Sequence, residues 1–144
     1  MFYTCYGPNN VQLCLATTRN PTSSDAANWQ RHGPVGFGQN SKSAALLIRD
    51  QPPHYLYWGA GVISVTTTNN LLNYTPGTEF ISSTPFGNPH VESGPPPMRL
   101  STGDYVFFHN SWGQAPGYQP TFVIINGSDP MQIVARGQEP LWSP

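Results

Sequence analysis

Few side chains in this sequence are suited to a hydroxyl-rich or anionic ligand. His109 ends the aromatic run Tyr105-Val106-Phe107-Phe108. An imidazole there can hydrogen-bond a phosphate or a sugar hydroxyl, and it changes charge near neutral pH. Its plainer role is that of a strand-end histidine bonded to a neighbouring carbonyl. Lys42 is the one lysine of the chain, a compact point charge suited to phosphate or to a sugar hydroxyl, or else a surface residue ahead of a strand. Glu92 precedes the rigid Pro95-Pro96-Pro97 segment, which could aim its carboxylate. A loop glutamate is otherwise simply solvated. Trp58, Trp112 and Tyr57 offer flat faces to the C–H side of a sugar ring, or bulk for a core. Trp29 reads as structural, and Asp50 and Asp104 as turn residues.

Other chemistries find no footing. His32, His54, His90 and His109 show no ligand spacing and there is no Cys-x-x-Cys, so no metal centre is expected. Neither a phosphate-cradling glycine loop nor a Gly-x-Ser-x-Gly elbow occurs. Charged residues make up 9% of the chain and its net charge is -1. That leaves no basic field for a nucleic acid, and no apolar run of helix-spanning length points to a membrane. Cys5 and Cys14 flank the turn Gly7-Pro8-Asn9-Asn10 and could meet across a hairpin; two buried free thiols are the expected state.

Strands must position these residues. No long stretch carries the apolar spacing i, i+3, i+4, i+7 of a helix. Short β-rich runs recur instead: Phe2 to Tyr6 and Val11 to Thr17 as a hairpin, then Ser43 to Ile48, Tyr55 to Trp58 and Val62 to Thr67. Pro97 to Leu100, Tyr105 to His109, Phe122 to Ile125 and Ile133 to Arg136 follow. The 16 prolines and 14 glycines fall largely between them, while 7 Phe, 7 Tyr and 4 Trp need surfaces to pack on. The runs form three similar sets, spaced on the scale of propeller blades of about 50 residues. A two-sheet sandwich would offer a similar pattern. The expected fold is all-β, a partial β-propeller with approximate blades at 1–37, 38–84 and 85–144. A closed propeller needs at least about four blades, so exposed sheet edges and self-assembly through them are expected.

The segment Gly94-Pro95-Pro96-Pro97-Met98, a turn, and a strand ending Phe108-His109-Asn110 resembles glycoside hydrolase family 130, the mannoside phosphorylases and related β-mannosidases. The likeness continues through Tyr118, Phe122 to Ile125, Asn126-Gly127-Ser128-Asp129-Pro130, Ile133 to Arg136 and Glu139-Pro140-Leu141. Upstream it takes in Trp29 to Pro34, Asn40-Ser41-Lys42 and Tyr55 to Gly59. It covers nearly the whole chain.

The resemblance implies a five-bladed propeller holding a mannoside in a funnel at one end of its axis. It implies inverting phosphorolysis, in which an aspartic acid protonates the glycosidic oxygen while inorganic phosphate, the co-substrate, attacks the anomeric carbon. In hydrolytic relatives, water activated by a carboxylate attacks instead. It places Lys42, His109 and Tyr118 beside phosphate or sugar, with Tyr118 alternatively an aromatic plug between blades. The family's acid lies in a Glu-Asp-Pro-Arg motif whose place falls before Met1, and Asn110 replaces the glycine after the histidine. The expectation is a fragment of a carbohydrate-active enzyme that is inactive alone. A non-catalytic carbohydrate-binding or assembly module and an arabinanase-like glycosidase are the alternatives. An oligosaccharide or mannoside is the expected partner, with no resident cofactor.

Overall fold

The computed structural model describes residues 1–7, 10–38, 41–114 and 117–143. Pro8 and Asn9 of the first turn, and Asn40 of the stretch before Lys42, lie outside the described residues. The strands are β1 Phe2–Gly7, β2 Asn10–Thr17, β3 Gln30–Pro34, β4 Ala44–Leu47, β5 His54–Trp58, β6 Ala60–Gly61, β7 Ile63–Thr68, β8 Thr78–Ile81, β9 His90–Ser93, β10 Met98–Arg99, β11 Tyr105–Trp112, β12 Gln119–Ile125 and β13 Ile133–Arg136. The helical content of the described residues is one 3-10 turn, Ala26–Asn28, capped by Asp25. No described helix is long and apolar enough to cross a membrane.

The strands form three antiparallel sheets. The first is β1-β2-β3 and the second β4-β5-β7-β8. The third runs β13-β12-β11-β9-β6, with β10 also on β11. β9 and β10 follow each other along one edge of the long strand β11, the first opposite His109 to Trp112 and the second opposite Tyr105 and Val106. The triple proline spans the gap between them, where a missing N–H donor costs no ladder bond. Gly94 starts that crossing because a Cβ there would lie 2.3 Å from the Phe108 carbonyl oxygen.

The main core lies between the second and third sheets, where Leu47, Ile63, Val65 and Ile81 meet Val91, Phe107, Val123 and Ile125. Tyr57 sits at its centre, its ring 4.9 Å from Phe80 and 5.0 Å from Phe107, and its hydroxyl donates to the Pro130 carbonyl at 2.8 Å. It is a core residue and offers no face to a sugar. The first sheet joins through Phe37, stacked on Trp58 at 4.4 Å, and through Tyr74, which meets both Phe37 and Phe2. Ser41 adds a polar staple, accepting from Leu13 N at 3.1 Å and donating to Gly38 O at 2.8 Å.

Two features depart from the sequence expectation. Cys5 and Cys14 are joined as a disulfide, diagonally across the β1–β2 hairpin with Cα atoms 6.0 Å apart, so the two free thiols are not found. That separation falls inside the range a disulfide spans. β8 and β9 also go unforeseen, since four-residue strands carrying a glutamate give little alternation to read.

Candidate functional site

Alternation along the third sheet divides the candidate residues between two faces. Val91 and Ser93 of β9, and Tyr105, Phe107, His109 and Ser111 of β11, are buried. His90 and Glu92, and Val106, Phe108, Asn110 and Trp112, turn to the other side and are half-buried or exposed. Because Glu92 pairs with Asn110 and His90 with Trp112, all four side chains share that outward face. The carboxylate row and the indole row are two residues apart, about 7 Å along the strand.

The outward face receives one more element. Lys42 and Ser43 lead into β4 of the second sheet, and the Ser43 hydroxyl donates to Glu92 Oε1. The backbone N–H of Gly59, at the end of β5, bonds both the Lys42 carbonyl at 2.8 Å and the Ser43 carbonyl at 3.1 Å. The Gly59 carbonyl accepts from Ser93 N at 3.2 Å, and the next residue, Ala60, pairs with Glu92. Lys42, Ser43, Gly59 and Glu92 are therefore one backbone-tied junction between two sheets. The tie forces unusual backbone: φ is +119° at Gly59, where a Cβ would lie 2.3 Å from Val62 O, and +52° at Ser43. Left-handed backbone at a serine costs free energy and concentrates at working sites.

An aromatic cluster completes the face. Trp112 lies 5.4 Å from the His90 ring and 5.1 Å from Tyr118, which is 52% exposed. Aromatic faces beside a carboxylate suit a sugar, which offers C–H patches and hydroxyl donors together.

His109 lies on the opposite side. Its imidazole is 3% exposed, in register with Ser93 on β9 and Thr121 on β12. Burial, aided by the Arg136 charge and opposed by the bond to Asn110, pulls its pKa down to about 4. The ring is therefore neutral at physiological pH, with Nδ1–H donating to the Asn110 carbonyl at 3.3 Å. The Ser93 and Thr121 hydroxyls beside it are buried and have no hydrogen-bond partner among the described residues. This is an interior polar row, and His109 is linked toward the outward face by its bond to the Asn110 carbonyl. Within this chain the imidazole faces that interior row and not the side that carries Glu92 and Trp112.

Trp58 is likewise committed to packing, with Phe37 covering one face of the indole at an interplanar angle of 7° and Gly77 against its edge. The structure thus puts Glu92, Trp112 and Tyr118 on one side, with the Lys42 backbone at the Ser43 junction beside Glu92, and sets His109 and Trp58 apart. Ser43, His90 and Asn110 join the first group without having been singled out. Only the exchange of glycine for Asn110 hinted at them. Open clefts of about 450 and 540 Å³ lie on the first sheet, lined by Tyr3 and Arg31 in common. They hold no carboxylate, whereas a cleft of about 350 Å³ beside β8 is lined by Glu79 and Arg136. Among the described residues, no group of three or more His, Cys, Asp or Glu is placed to hold a metal ion.

No family model matches the chain. The 1,2-β-oligomannan phosphorylase of Thermoanaerobacter sp. (strain X514) is 24% identical over 151 residues, spanning 100% of this chain and 49% of that protein. A solved structure described with the GH130 family of mannoside phosphorylases and its glycoside hydrolases that target β-1,2-mannosidic linkages in Candida mannan superposes with a TM-score of 0.81. It is 22% identical, covering 100% of this chain and 48% of the other. β-1,2-Mannobiose phosphorylase from Listeria innocua, in complex with β-1,2-mannobiose, gives a TM-score of 0.81 at 14% identity over 97% of this chain and 40% of that one. An α-L-arabinofuranosidase from Lactobacillus brevis fits less closely, with a TM-score of 0.68 at 16% identity over 91% and 45%. The chain spans about half the length of the curated relative it matches. The resemblance to glycoside hydrolase family 130 carried by the Gly-Pro-Pro-Pro segment is found again in sequence and in fold, along the whole chain.

Proposed function

We propose that this chain is a carbohydrate-active propeller segment of the family 130 kind, binding a β-mannoside on the outward face of its third sheet. Each sheet is taken as one blade. Apart from β6, their strands fall at 2–34, 44–81 and 90–136, which supports the blades 1–37, 38–84 and 85–144. Trp112 and Tyr118 form the platform for the sugar, Glu92 accepts from its hydroxyls, and Lys42 supplies positive charge for phosphate or a ring oxygen. His109 supports the face from behind. The observation that carries this reading is the meeting of Lys42-Ser43 with Glu92 on the face that also holds Trp112, in a fold whose relatives handle β-1,2-mannosides.

Cleavage of a glycosidic bond needs a proton for the leaving oxygen as well as an incoming phosphate or water. This face offers one carboxylate, and the sequence contains no Glu-Asp-Pro-Arg. General acid catalysis contributes roughly 10² to 10⁴ in rate, so the chain binds without turning over. Isothermal titration with β-1,2-mannobiose should show saturable binding that Trp112→Ala abolishes, with no mannose 1-phosphate formed when inorganic phosphate is added. A chain that binds no mannoside contradicts the reading. Turnover lost in Glu92→Gln would restore a complete catalytic role.

A second reading, assembly, has its own support. Below the polar end of the outward face, Val106, Phe108, Phe122 and Ile124 form a half-exposed apolar surface. Such a surface suits another sheet packed upon it. Light scattering should then show a defined oligomer, and Phe108→Asp a monomer.

A further inference from the structure

We propose that Ser43 is a positioning residue that fixes the Glu92 carboxylate for ligand, an inference resting on the mannoside-binding reading of the same face. Three observations converge. The hydroxyl of Ser43 reaches Glu92 from the segment that leads into another sheet, 49 residues away in sequence. The residue is held at φ +52°, where glycine or asparagine would sit more easily. The backbone on both sides of the contact is tied to Gly59 and Ala60, so neither partner can drift. A serine kept in an unfavourable conformation, with its hydroxyl on a carboxylate, implies that the hydroxyl itself is what the position requires.

The consequence is a half-occupied carboxylate. Oε1 accepts from Ser43, and Oε2 is the oxygen we assign to the ligand. A free glutamate must freeze several torsions on binding, whereas this one is already held. Its ligand group must be a donor, as a sugar hydroxyl is.

Two substitutions separate positioning from mere support. Ser43→Gly relieves the backbone cost and removes the hydroxyl, whereas Ser43→Asn tolerates the left-handed backbone and keeps a donor. We expect Ser43→Gly to melt at or above the temperature of the parent chain. It should bind β-1,2-mannobiose about tenfold more weakly, the scale of one charge-assisted hydrogen bond. The Glu92 carboxyl carbon resonance should shift in Ser43→Gly and return toward the parent position in Ser43→Asn, together with affinity. Binding that falls only in step with melting temperature, or a Glu92 resonance indifferent to Ser43→Gly, would overturn the proposal. A parent chain that binds no mannobiose would end the mannoside reading, and the Glu92 resonance would still decide for or against Ser43 as its anchor.

Discussion

The two faces of the third sheet are built from the same strands and do opposite things. On the inner face Phe107, Val123 and Ile125 pack against the second sheet, and the polar end of that face, Ser93, His109 and Thr121, is shut in with them. On the outer face, one residue along in each strand, Glu92, Asn110 and Trp112 remain accessible beside Tyr118. A strand's period of two makes neighbours in sequence strangers in space. The residue with the most versatile chemistry, His109, lies on the side where burial removes its charge. Its neighbour Asn110 lies on the half-buried side that we propose for the ligand.

Substitutions on the two faces should separate stability from binding. Phe107→Ala opens the inner core and should cost about 3–5 kcal/mol in chemical denaturation, while the fraction still folded keeps its mannoside affinity. Equal damage to affinity would mean that the faces are not independent. The pH dependence comes next. His109 is neutral in the fold with a pKa near 4, whereas the unfolded chain takes up that proton near 6.5. Its contribution to stability is therefore complete above about pH 6.5 and is lost as pH falls toward 4, amounting to up to about 3 kcal/mol. His109→Gln should flatten that limb of the stability profile. A native His109 titrating near 6.5 in a proton–nitrogen NMR experiment would place the ring in solvent and blur the distinction. On the outer face, Glu92→Gln should change stability by less than about 1 kcal/mol and weaken mannobiose binding several-fold, since a neutral amide is the poorer acceptor. A larger loss of stability than of affinity would make Glu92 a structural staple.

Much of this arrangement was legible in the residues. The hairpin from Phe2 to Thr17, the strand through His109 and the extended triple-proline crossing follow from local pattern, because β-branched runs, turn residues and proline act over a few positions. Lys42 was legible as a candidate from its charge and the family resemblance, and Glu92 from its place before the triple proline. Which face of Tyr105 to Trp112 would be buried was not, for alternation names two faces and only the packing of another sheet decides between them. The burial of His109 was not legible for that reason. Glu92 was taken for a loop residue because its strand is four residues long and pairs with partners on either side of it in sequence. Ser43 escaped notice altogether. Nothing local marks a serine for φ +52°; the sheet junction imposes it.

The most direct test is a residue-resolved NMR titration of the chain with β-1,2-mannobiose, following both faces at once. The account predicts shifts concentrated at His90, Glu92, Asn110, Trp112 and Tyr118, with Ser93, His109 and Thr121 scarcely moved. Shifts centred on His109 and its buried neighbours, with the outer residues silent, would contradict it.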